Sequence, residues 1–232
     1  EASSDVAGDA GTVTITAETL TMDGSFARSS TNGTGNAGTV AINVTNADIF
    51  NQSSIRSITG STGNAGSVVI NAIADLRLAD SNAEASTFSA GNAGSVAISA
   101  RDLTLESARV ETATGFFPGA SGDAGNVTID ARNLSVSGFT QISSKSAFPS
   151  TGNAGNVNIT VDKTLLITDN SVEIGAQTEG VGNAGAVQVT AGLLEMQGGQ
   201  ITSSTSGPGD AGNVLVIAQN ASVTGEEALM ER

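Results

Sequence analysis

The sequence predicts an all-β chain folded as a right-handed parallel β-helix (solenoid), with about 28 residues and three short strands in each coil. Three observations carry that expectation. A four-residue word returns eight times, each copy is followed by short alternating apolar runs, and small and β-branched residues dominate a chain almost without rings.

The word is Gly-Asn/Asp-Ala-Gly, and its copies begin at Gly8, Gly35, Gly63, Gly91, Gly122, Gly152, Gly182 and Gly209. The intervals are 27, 28, 28, 31, 30, 30 and 27 residues, too regular for chance and suited to a solenoid. After each copy comes an apolar pair two residues apart, as in Val40/Ile42, Val96/Ile98 and Val127/Ile129. That spacing marks a strand with one buried face. A second pair follows, as in Leu76/Leu78 and Leu103/Leu105. The third strand has one apolar residue with hydroxyls two and four positions on, as in Ile55-Ser57-Thr59 and Val110-Thr112-Thr114. Such a unit cannot bury its apolar face alone, but parallel stacking of like on like can. Handedness follows from the preference of parallel crossovers for the right-handed sense. A β-propeller blade, at about 40–45 residues and four strands, fits less well. Residues 1–232 therefore read as a single repeat domain.

Within the word, the glycines are expected to take positive φ or to sit in close backbone contact at a corner. The residue between them is expected to stack as a hydrogen-bonded ladder: Asp9, Asn36, Asn64, Asn92, Asp123, Asn153, Asn183 and Asp210.

Composition narrows function. With no Cys and no His, disulfides and thiolate or imidazole metal sites are excluded. Nine basic against 23 acidic residues give a net charge of −14, which repels phosphate backbones, so no nucleic-acid partner is expected. No apolar run approaches membrane-span length, and no membrane insertion is expected. Residues 1–20 lack a signal segment and Glu1 is not an initiator Met, so the chain reads as a mature or excised piece.

The pattern G-[ND]-A-G-x-V-x-I, then A-x-x-L-x-L, then I-x-S-x-T, resembles the repeat regions of filamentous-haemagglutinin-like large exoproteins, the two-partner secretion adhesins. The resemblance spans essentially the whole chain. It implies a right-handed β-helix, an extracellular or bacterial cell-surface location and a structural or adhesive role, with no catalytic residues to carry over. That family's amino-terminal secretion domain is not in this sequence, and some members have shorter coils.

The function expected is therefore a non-catalytic rod or filament-forming section of a secreted bacterial surface protein. The alternative is an adhesin module that binds a host, cell or matrix receptor through loops at one corner. Enzyme activity is not expected: the acids Glu18, Asp23, Asp75, Asp80, Asp102, Glu106 and Glu111 are scattered, and no Tyr or Trp offers a sugar a stacking face. Asp102 and Glu106 share a strand face near Asp75 and read as solvated surface. No cofactor is expected, with structural calcium at single corners as the alternative. The Asp copies of the word are the first, fifth and eighth, too far apart for a stacked carboxylate cage. Ice binding fails on parity, since Ser57 and Thr59 share the inward face of Ile55, while Arg56, Glu111, Lys145 and Gln177 point out without forming an array. Lengthened loops put Phe88, Phe116, Phe117 and Phe148 at one corner, either as an interface or packed locally. The partners expected are further copies joined end to end or further repeats of the same protein, with a receptor for the alternative reading.

Overall fold

The computed structural model describes residues 1–5, 7–115 and 117–225, and the backbone of 229–231. Each coil has one long bent strand and one short straight one. The long strands are β2 (Val13–Asp23), β4 (Val40–Phe50), β9 (Val96–Glu106), β11 (Val127–Ser137), β13 (Val157–Ile167), β15 (Val187–Met196) and β17 (Val214–Val223). In one coil the long strand is broken into β6 (Val68–Ala72) and β7 (Asp75–Ala79). The short strands are β3 (Phe26–Thr31), β5 (Ser54–Thr59), β8 (Asn82–Thr87), β10 (Arg109–Thr114), β12 (Gln141–Ser146), β14 (Glu173–Thr178) and β16 (Gln200–Thr205). Two three-residue strands, β1 (Ala2–Ser4) and β18 (Leu229–Glu231), extend the short-strand sheet at its two ends.

Every pairing is parallel and joins a strand to its equivalent one coil on, so the fold is a parallel β-helix, a β-solenoid. The first and second predicted strands meet at a bend where the ladder skips residues, between Ala131 and Asn133 and between Val161 and Thr164. In the β6–β7 coil that bend opens into a break, leaving Ile73 78% exposed. At roughly 4.8 Å per coil the stack is roughly 34 Å long.

Like residues lie over like. Val40, Val68, Val96, Val127, Val157 and Val187 form one fully buried column, and Ile42, Ile70, Ile98, Ile129 and Ile159 form the next. Each such side chain contributes about 2 kcal/mol by leaving water, and the narrow interior leaves no space for large rings. At the two ends the equivalents of these columns, Val13 and Ile15 at one and Val214 and Val216 at the other, are only partly buried.

Candidate functional site

The corner carrying the Gly-Asn/Asp-Ala-Gly word is where neighbouring coils come closest. None of its glycines has positive φ, so close contact is the reason for them. A Cβ on Gly63 would overlap the carbonyl of Gly35, one on Gly91 that of Gly63, and one on Gly122 that of Gly91. From the second word onward, the second glycine meets the same obstacle, with Gly125 against the Gly94 carbonyl.

The residue between the glycines forms an unbroken chain of seven hydrogen bonds. Each side-chain Oδ1 accepts from the next backbone N–H: Asp9 from Asn36 (2.6 Å), Asn36 from Asn64 (2.8 Å), Asn64 from Asn92 (2.8 Å) and Asn92 from Asp123 (2.8 Å). It continues with Asp123 accepting from Asn153 (2.7 Å), Asn153 from Asn183 (2.9 Å) and Asn183 from Asp210 (2.8 Å). An acceptor is all that each rung needs, which is why Asp and Asn interchange.

The hydroxyls of the third strand secure the same corner from inside. Ser57 Oγ donates to the Gly38 carbonyl and accepts from the Gly66 N–H, both at 2.8 Å, so one side chain joins two successive words. Ser29, Ser144 and Ser203 do the same. The deeper hydroxyls Thr59 and Ser146 donate to Gly63 and Gly152 carbonyls. These groups are buried, and burying a polar group without a partner would cost about 1–3 kcal/mol.

The outward face of the short-strand sheet gathers charges that are far apart in sequence. Register places Arg28, Arg56, Glu84 and Glu111 side by side on four successive coils. Arg56 Nη2 lies 2.7 Å from Glu84 Oε2, a charge contact rather than an aligned hydrogen bond. Glu111 corrects the sequence expectation: it points outward yet is only 5% exposed, because its neighbours on the adjoining coils cover it. Its Oε2 lies 3.6 Å from Arg109 Nε and accepts from Ser143 Oγ at 3.3 Å. Burial pushes its carboxyl above the ordinary range, partly offset by Arg109, while Glu84 pushes the same way as burial.

Asp48, Asp75, Asp102 and Glu106 lie in ion pairs on the long-strand sheet. Arg101 holds Asp75 at 3.0 Å and Asp102 at 2.7 Å, so those two are neighbours after all. The Asp102 carboxyl is held below its usual range, first by the Asn133 amide and then by Arg101. Glu106 stands apart, sharing Arg77 with Asp48. Among the described residues no group of three or more His, Cys, Asp or Glu converges on a metal position. Asp9, Asp123 and Asp210 act as ladder acceptors or ends, with intervening Asn copies between them.

At the third corner Phe88 is half-buried, and its ring meets Phe117 edge-on at 6.3 Å. Phe117 remains 55% exposed, Phe148 is 71% exposed, and Val181 continues the strip on the following coil at 55%. Phe116 lies outside the described residues. Local packing thus takes up Phe88, while the remaining strip faces solvent. Val181 stands immediately before the next word in the sequence, in the loop that carries the rings in the preceding coils.

The class that this geometry defines is a parallel β-solenoid with a polar surface. Comparison of the chain with known protein families, with curated proteins and with solved structures finds no match.

Proposed function

We propose that this chain is a rigid, non-catalytic section of an extracellular bacterial rod, whose coil stack continues at both ends. The observation that carries the reading is the state of the two ends. Among the described residues the outermost long strands β2 and β17 each have one neighbour, and Val13, Ile15 and Leu20 at one end, like Val214, Val216 and Ala218 at the other, are core residues left partly exposed. Unpaired strand edges over an open apolar core favour a further coil, from the same protein or from another copy. The ladder supports this: Asp210 stands where it would accept the next coil's corner N–H, as Asn183 accepts its own. A direct junction of β17 with β2 of a second copy leaves one slot for β1 and β18, so one of these three-residue strands must be displaced.

The resemblance of the repeat to filamentous-haemagglutinin-like exoproteins favours a cell-surface location. The strip of Phe117, Phe148 and Val181 favours an adhesive surface as a second reading. Negative-stain electron microscopy over a concentration series tests the first. Rods of constant width that lengthen with concentration are expected; compact particles of fixed size at every concentration would remove the filament reading. Loss of cell adhesion in Phe117→Ser with Phe148→Ser, with rods intact, would move the function to the second.

A further inference from the structure

We infer that the corner between the long and short strands of the first to fourth coils is a binding site for a neutral saccharide unit. The corner opens onto a surface cavity of about 590 Å³, within the range of about 300–1,000 Å³ that holds small ligands. Its lining combines one bare ring with amides and hydroxyls. Phe26, 70% exposed, stands at one side, and register puts Ser54 and then Asn82 beside it on the next two coils. The small Ser54 between two larger side chains makes the floor.

Two observations point to a ligand. The first is unmet hydrogen-bonding capacity. Ser54 is 3% exposed and Arg56 borders the same cavity, yet Ser54 Oγ and Arg56 Nε are buried without a hydrogen-bond partner. Such buried groups are destabilising when nothing meets them. The second is backbone strain. Asn51 (φ 56°), Gln52 (φ 61°), Asp80 (φ 47°) and Ser107 (φ 49°) are the non-glycine residues with positive φ among the described residues, and all four line this cavity. Flanking coils place glycine in the same column, Gly24 at φ 54° before them and Gly138 at φ 64° after. Left-handed backbone is disfavoured for L-residues, least for Asn and Asp and most clearly here for Gln52 and Ser107, so polar side chains stand where glycine would fit without strain. Strain of this kind collects at sites that hold something. Gln52 is the clearest case: the corner runs Asp23-Gly24-Ser25-Phe26 in one coil but Phe50-Asn51-Gln52-Ser53-Ser54 in the next, one residue longer.

The chemistry selects the ligand. A pyranose has an apolar C–H face for a ring and a rim of hydroxyls that both donate and accept. Gln52 and Asn82 offer amides that donate and accept, Asn51 Oδ1 and Asp80 accept, since the Asn51 amide nitrogen already donates to Asp23, and Ser107 does either. Arg56 is already paired with Glu84, and the chain carries a net charge of −14, so a neutral hexose or N-acetylhexosamine fits better than an acidic sugar. This corner is distinct from the strip of Phe117, Phe148 and Val181, and the inference does not rest on the filament reading: a chain that never polymerises still presents it.

The test is saturation-transfer NMR on the full chain with D-galactose, D-glucose, N-acetyl-D-glucosamine and D-glucuronate as probes. Saturation transfer to at least one neutral sugar is expected, with Phe26→Ala and Asn82→Ala weakening it roughly tenfold, a difference of about 1.4 kcal/mol. Ile73→Ala, on the exposed bend away from the cavity, should change nothing. Gln52→Gly separates a binding role from a structural one: it should raise the thermal midpoint by relieving strain while weakening the sugar. No transfer to any neutral sugar, stronger binding of glucuronate, or unchanged binding in Phe26→Ala and Gln52→Gly would each overturn the inference.

Discussion

Two corners of the same coil follow opposite rules. At the Gly-Asn/Asp-Ala-Gly corner the word repeats in every coil, its glycines touch backbone to backbone, and its polar groups are met by the ladder and the serine bridges. At the corner between long and short strands the same column reads Gly24, Asn51, Asp80, Ser107 and Gly138, and the backbone takes the left-handed conformation. The first corner is uniform because a Cβ would collide with the coil above. The second varies because its side chains project into solvent, and each change costs only local strain. A solenoid keeps its register on one edge and is free to carry chemistry on another.

Substitutions at the two corners should differ accordingly. The largest effect is expected for Gly122→Ala, whose Cβ would overlap the Gly91 carbonyl in mid-stack. Chemical denaturation should show a loss of about 3 kcal/mol or more, since backbone on both sides resists movement. Ser144→Ala comes next. It orphans the Gly155 N–H and leaves the Gly125 carbonyl with Thr112 Oγ1 as its donor, and a loss of about 1–2 kcal/mol is expected in the same measurement. Gly24→Ala, at the other corner, should cost only about 1 kcal/mol, as its Cβ meets nothing nearer than 3.5 Å and pays for φ alone. Equal losses for Gly122→Ala and Gly24→Ala would erase the distinction between the corners.

The smallest effect concerns pH. Glu111 binds its proton more tightly in the folded chain than in the unfolded one, because burial disfavours its charge. The folded state therefore holds more protons over the window between the ordinary glutamate value and the raised one, and stability falls as pH rises through it. Acidification into that window restores the loss. Glu111→Gln should raise the thermal midpoint at neutral pH and flatten this part of the profile; an unchanged profile would place the titration elsewhere.

The repeat word made the fold legible, since eight copies at near-constant spacing admit few architectures. The inward hydroxyls were legible by parity, although their bridging of successive words was not, because it depends on distances across the corner. Juxtapositions across coils were hidden. Glu84 and Glu111, or Phe26, Ser54 and Asn82, are 27 or 28 residues apart, and only the register brings them together. Applying the repeat period to polar residues, as it was applied to apolar ones, would have aligned them. Burial of the outward Glu111 was less accessible still, because alternation tells which way a side chain points and not what lies over it.

The measurement that bears most directly on continued stacking is disulfide trapping between ends. The chain has no cysteine, and extension of the register past β17 would set Ile217 beside Thr16 of a second copy, as Thr190 lies beside Ile217 and Thr16 beside Asn43. Within one molecule these positions are roughly 34 Å apart, far beyond disulfide reach. The double variant Thr16→Cys, Ile217→Cys should give a ladder of covalent oligomers on a non-reducing gel after mild oxidation, while each single variant stops at a dimer. Monomer alone from the double variant would contradict a stack that continues from one copy to the next.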